Sequence, residues 1–139
     1  MTPKQDLQLP AFGAALLDGK YAGVLTDDDG QPYLLILLDA KPADQLNWSA
    51  AQEWASALGA ALPNRVESAQ LFRALRDEFE KDWHWTSEAF GASCAWFCSF
   101  NDGYQGCSDV SSGGAARAVR RLLLQSFDPS SVSVESAAA

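Results

Sequence analysis

Residues 33–38 read Tyr-Leu-Leu-Ile-Leu-Leu, with Pro32 before them and Asp39 after. A run this apolar has no polar residue to turn towards water. It is read as a strand over Pro32–Asp39, central in its sheet and covered on both faces. At 139 residues the chain has the size of one domain. That length can bury roughly two thirds of its unfolded surface, so no disulfide or metal is needed to hold it.

The segments around this strand have legible periods. Tyr21–Thr26 reads as its hairpin partner, joined through an Asp27–Gly30 turn in which Gly30 can take a positive φ. Residues 1–20 read as a lead-in with one helical turn near Phe12–Leu17. Lys41–Gln45 reads as a connecting loop. A first helix is expected over Trp48–Leu58, with Asn47 as N-cap, Gly59 just past its end, and Ala51, Trp54, Ala55 and Leu58 facing inward. A second opens at Asn64, where Glu67 stands at capping-box spacing. Its inner stripe is Leu71, Phe72, Leu75 and Phe79, and Arg73, Arg76, Asp77, Glu78 and Glu80 form a solvated face.

Beyond the helices the pattern shortens. Trp83–Ser87 alternates aromatic and polar residues like a strand edge, and Ala95–Phe100 is a second short strand. Asn101–Gly103 is a turn signal. Gln105–Ala116 is small, polar and glycine-rich and reads as loop. Arg117–Leu124 returns to strand-like composition. The domain is expected to span 21–125, with 126–139 as a disordered tail too poor in apolar residues to hold itself down. The order of elements is α+β.

Charge and cysteines exclude several classes. Ten basic against eighteen acidic residues give a net charge of −8. Nucleic acid and anionic membranes both demand a basic footprint, so neither is an expected partner. No apolar run is long enough to span a bilayer, and the first twenty residues lack the pattern of a signal peptide. The default compartment is the cytoplasm, with a virion or cell surface reached only through another chain. Cys94, Cys98 and Cys107 are odd in number, which argues against a disulfide framework. Zinc would want four ligands in paired spacings, and the only histidine, His84, stands apart from the cysteines. His84 lies between two tryptophans and reads as a packed or edge-strand residue.

Six motifs follow one another in a specific order. They are Trp48-x-x-Ala51-x-x-Trp54-Ala55, Leu62-Pro63-Asn64-Arg65-x-Glu67, Trp83-His84-Trp85-Thr86-Ser87-Glu88, Ala95-Trp96, Phe100-x-x-Gly103-x-Gln105 and Arg117-Ala118-Val119-Arg120-Arg121. Together they resemble short bacterial and phage domains of the C-type-lectin-like fold, in the branch of the formylglycine-generating enzymes. The resemblance covers residues 21–122. It implies an N-terminal hairpin, two helices and a loop-rich set of short antiparallel strands. Thr86-Ser87-Glu88 replaces the commoner Ser-Ser-Glu of that family. The segment from Phe97 to Ala116 matches only at Phe100, Gly103 and Gln105.

That mismatch resembles the variable proteins of diversity-generating retroelements. In these, adenines of AAC-type codons are rewritten, which never yields Lys, Glu, Gln, Met or Trp. Between Phe97 and Ala116 only Gln105 falls in the excluded set. The expected recognition surface is Phe97, Ser99, Asn101, Asp102, Tyr104, Gly106, Cys107, Ser108, Asp109, Ser111 and Ser112. Alternation along the strand assigns Trp96, Cys98 and Phe100 to the core and Phe97, Ser99 and Asn101 to the other face. A mixture of Tyr, Ser, Gly and Asn suits contact with a protein ligand. The expected function is non-enzymatic binding, with no catalytic residue, metal or cofactor.

Three other readings of the same residues carry less. An invariant phage or prophage accessory protein would use the same surface for one partner. A calcium-dependent sugar site would need more carboxylates than Leu62-Pro63-Asn64 and Phe100-Asn101-Asp102 offer. A small copper or redox enzyme would rest on Cys98 and Cys107 as a soft-metal pair. The closing Arg117, Arg120 and Arg121 are expected to include at least one that pairs with buried carboxylate or carbonyl groups and fixes the base of the loop.

Overall fold

In the computed structural model, which describes residues 8–128, two helices pack with two antiparallel sheets. The fold class is α+β, as the order of elements implied. The first sheet has the order β1-β2-β3-β7, with β1 at Ala15–Leu16, β2 at Gly19–Thr26, β3 at Pro32–Leu38 and β7 at Val119–Leu123. The second has the order β4-β5-β6, from Trp83–Phe90, Cys94–Ser99 and Gln105–Asp109. The helices are α1, Trp48–Ala57, and α2, Arg65–Leu75.

Strand β3 divides the interior. Leu34, Ile36 and Leu38 point into one core with Ala51 and Ala55 of α1, Leu62, Trp85 and Ala95. Tyr33, Leu35 and Leu37 point into the other with Leu71 and Leu75 of α2, Phe79, Cys98 and Phe100. Every residue from Tyr33 to Leu38 is buried, so the continuous apolar run is explained by cover on both faces. The second sheet feeds both cores, through Trp85 and Ala95 on one side and Cys98 and Phe100 on the other.

Both helix starts follow the local signals. The Asn47 side chain accepts from the Ala50 amide at 2.8 Å. Asn64 and Glu67 form a reciprocal capping box, at 2.7 and 2.8 Å. Helix α1 ends in a Schellman arrangement, Ala60 N–H to Ala55 O and Gly59 N–H to Ser56 O, with Gly59 at φ +70°.

Five expectations change. Leu58, expected on the inner stripe of α1, is exposed, because it falls at the C-cap where the helix has already ended. The helical turn near Phe12–Leu17 is instead the hairpin of β1 and β2, because Leu16 is drawn into the core and pairs with Gly19. Helix α2 stops at Leu75, and a short 3-10 turn over Arg76–Glu78 delivers Phe79 to the core in extended conformation. Gln105–Asp109 is a strand rather than a loop, its conformation imposed by pairing with β5. Phe127, within the expected tail, is buried in the first core. The rest of that tail, residues 129–139, lies outside the described residues.

The element that ties the layers is Glu67, a fully buried carboxylate. Its Oε1 accepts from Asn64 N at 2.8 Å and Arg121 Nη2 at 2.7 Å. Its Oε2 accepts from Tyr33 Oη at 2.5 Å and Arg121 Nε at 2.6 Å. Burial opposes ionisation, but the Arg121, Tyr33 and Asn64 hydrogen bonds outweigh it and hold the Glu67 pKa below the usual carboxylate range. A carboxyl whose folded pKa is depressed stabilises the fold above its unfolded pKa. That contribution is lost as pH falls through the folded value. Glu67→Ala is expected to cost about 3–5 kcal/mol in urea unfolding, because Arg121 and Tyr33 lose their shared acceptor. Glu67→Gln should flatten the fall in stability below pH ~4.5 relative to the unmodified protein. An unchanged acid limb in Glu67→Gln would remove Glu67 from this role.

Candidate functional site

The segment expected to bind begins on β5, turns at residues 101–104 and returns along β6. Asp102 Oδ1 accepts from Tyr104 N at 3.0 Å, and the Ser99 hydroxyl accepts from Asn101 N at 3.3 Å. Gly103 sits at φ +83° with the Phe72 ring against its α-carbon, so a side chain there would meet both a strained backbone and the ring. Asn101 and Asp102 are exposed, and Tyr104 is 64% exposed. The Phe97 ring lies half-buried between Trp83, at 5.1 Å, and Tyr104, at 6.3 Å. The three rings form an aromatic ridge running from the sheet to the turn.

The other proposed residues distribute unevenly. Gly106 is buried beneath the Phe97 and Tyr104 rings, where an added Cβ would come within 2.9 Å of Tyr104. It leaves room for the ridge and presents no side chain of its own. Ser99 and Ser108 are half-buried on the Phe97 face. Cys107 and Asp109 are exposed on the opposite face, at the positions across from Trp96 and Cys94. Asp109 Oδ1 accepts from the Ser111 amide and hydroxyl at 2.9 and 2.7 Å and closes a local turn. Ser111 and the half-buried Ser112 lie at the far end of β6, roughly 14 Å along the strand from the 101–104 turn. The structure therefore brings together Phe97, Ser99, Asn101, Asp102, Tyr104 and Ser108, and it sets Cys107, Asp109, Ser111 and Ser112 apart from them.

The face assignment holds for Cys98 and Phe100, which are buried. Trp96 differs. It is half-buried, and its cover is the Arg65 guanidinium, 3.6 Å above the ring, together with the edge of Phe90. Arg65 also donates from Nε to Gln105 Oε1 at 2.9 Å, and Gln105 Nε2 donates back to Arg65 O at 2.8 Å. Glu88 accepts from the Arg65 amide at 2.8 Å. The start of α2 is thus joined to β4, β5 and β6 through one residue. Sequence reasoning missed this joint. Its signal was the placement of Arg65, Glu88, Trp96 and Gln105 in four separate motifs.

The closing arginines act as expected. Arg121 pairs with buried Glu67, and Arg120 bridges Asp18 at 2.7 Å and the Gly59 carbonyl at 2.9 Å. Arg117 is buried and donates to the carbonyls of Glu78 at 2.6 Å and Leu38 at 2.8 Å.

The cysteines do not share one environment. Cys98 is buried, and burial pushes its thiol pKa up. Cys107 is exposed and neighbours Cys94 rather than Cys98. Among the described residues no group of three or more His, Cys, Asp or Glu comes together as a metal-holding set, and no helix is long and apolar enough to cross a membrane.

His84 packs between Phe79, at 5.2 Å, and Phe100, at 5.0 Å. Its Nδ1–H donates to the Asp82 carbonyl at 3.0 Å. Burial is the main cause that depresses its pKa, to about 4, against the opposing Asp82 hydrogen bond, and the Arg117 charge depresses it further. The folded protein therefore keeps a neutral imidazole where the unfolded chain protonates. Stability from this residue is complete above pH ~6.5 and declines as pH falls towards 4. In a proton NMR titration the His84 ring signals are expected to stay fixed between pH 5.5 and 8. A midpoint near 6.5 would contradict the buried, neutral assignment. No protein-family model matches the chain, and no curated protein sequence matches it.

Proposed function

We propose that the chain is a non-enzymatic binding domain of C-type-lectin-like fold, resembling the variable proteins of diversity-generating retroelements. Its recognition surface is the aromatic ridge and turn from Phe97 to Tyr104, extended by Ser108. The single observation that carries this reading is a division of labour over residues 100–105, inside the segment from Phe97 to Ala116. The positions that match the family have structural duties. Phe100 stacks on Phe79 at 3.8 Å, Gly103 lies against Phe72, and Gln105 closes the reciprocal pair with Arg65. Asn101, Asp102 and Tyr104, which do not match it, point to solvent. Gln105 is also the one residue of the segment that rewriting of AAC-type codons does not yield. Such a surface can exchange its exposed side chains without disturbing the core.

The partner class that suits this surface is protein. Phe97, Tyr104 and Trp83 offer rigid apolar area at low entropic cost, and Ser99, Asn101, Asp102 and Ser108 offer adaptable hydrogen bonding. The net charge of −8 disfavours a nucleic acid.

Sequencing of this gene and its flanking DNA across the source population tests the retroelement. A near-copy of the segment encoding Trp96–Arg121, differing only at adenines and beside a reverse-transcriptase gene, is the expected result. An invariant segment without such a copy leaves a fixed binding protein instead. The surface itself is tested by the double variant Asn101→Ala/Tyr104→Ala. Its melting temperature is expected within about 3 °C of the parent, as for exposed positions. A much larger loss would put these side chains in packed interior and overturn the site.

A further inference from the structure

A concavity lies between the 41–45 loop and residues 115–117. Its volume is about 310 Å³, and it is lined by Lys41, Asp44, Glu80, His84 and Arg117 among others. Small-ligand sites begin at about this size. Its distinctive group is Arg117, only 4% exposed.

A buried guanidinium normally meets a carboxylate, because an unpaired charge in the interior is costly. Arg117 has none. Among the described residues it forms no ion pair, while Arg120 and Arg121 each do. Its two protein acceptors are neutral carbonyls, of Glu78 and Leu38. Its Nε–H is buried with no acceptor. A guanidinium carries five N–H donors and the two carbonyls take one from each terminal nitrogen, so donors remain for an anion. The Phe79 ring, 5.1 Å from the guanidinium carbon, adds attraction but accepts no strong hydrogen bond. Lys41 is exposed on the wall of the same cleft and forms no ion pair among the described residues.

We propose that this cleft binds a small, singly charged carboxylate, which supplies the contacting anion that the buried Arg117 lacks, with Lys41 as the second cation. A planar carboxylate matches the fork of the guanidinium. Glu80 and Asp44 on the lining oppose a doubly charged group, so the site favours a carboxylate over phosphate. The cleft shares no lining residue with the ridge of Trp83, Phe97 and Tyr104.

The test is a set of ¹H–¹⁵N NMR titrations of the full chain with sodium acetate, sodium phosphate and sodium chloride at matched ionic strength. The Arg117 Nε–H signal and the backbone amides of 41–45 and 115–117 are expected to shift saturably with acetate and not with chloride. Lys41→Glu, an exposed change that leaves the fold intact, should weaken the acetate response about five-fold or more. The Asn101→Ala/Tyr104→Ala variant should bind acetate like the parent. Linear, unsaturable shifts, or a response indifferent to Lys41→Glu, would overturn the site. Saturation by phosphate without saturation by acetate would overturn the carboxylate class.

Discussion

The Glu67 carboxylate is the interaction on which the remaining architecture depends. Each of its oxygens accepts two hydrogen bonds, and the donors come from the start of α2, from β3 and from β7. A charge this deeply buried is tolerated only when every lone pair is used and a counter-charge is present. Arg121 provides the counter-charge and two of the four bonds through a bidentate contact, and Tyr33 and the Asn64 amide provide the other two. The geometry leaves little freedom. If α2 rotated or β7 slipped by one residue, Arg121 would leave the face that meets Glu67. The ion pair therefore sets the register between helix and sheet, while the apolar cores supply most of the driving force.

From that node the support of the candidate surface follows directly. The helix whose first turn holds Glu67 also begins with Arg65. Arg65 covers Trp96 and exchanges hydrogen bonds with Gln105. The second sheet is consequently held at its β5–β6 hairpin by the same helical turn that is anchored to the first sheet. Further along, Phe72 of α2 packs on Phe100 and beneath Gly103. The turn at residues 101–104 thus rises from a rigid base. Rigidity below and exposure above is the condition under which surface side chains bind without a large ordering cost.

Much of the frame was legible because its signals are local. The capping box at Asn64 and Glu67 spans three residues, and its two bonds form between neighbours in the chain. The run from Tyr33 to Leu38 announces two covered faces through composition alone. The fates of polar residues were less legible. Glu67 read as a cap, and nothing near it in sequence announces that Arg121 closes its other side. Gln105–Asp109 reads as loop, since small polar residues have little strand propensity of their own, and only pairing with β5 makes it a strand. Leu16 looked peripheral because its short Ala/Leu stretch has no strand period, and Phe127 because it is an isolated apolar residue in a polar tail.

The sequence by itself determined the α+β class, the two helices with their caps, and the central strand buried on both sides. These depend on hydrophobic period and on contacts within a few residues, which are written in order along the chain. Tertiary structure alone decided which residues of the 97–112 segment share a surface, because β6 carries Ser111 and Ser112 to the end opposite Tyr104. It also decided that Arg120 and Arg121 find carboxylates while Arg117 meets only carbonyls. The physical reason is that charge pairing is governed by distance through space. Three arginines within five residues of β7 and its approach point to different layers, and only packing determines what waits in each.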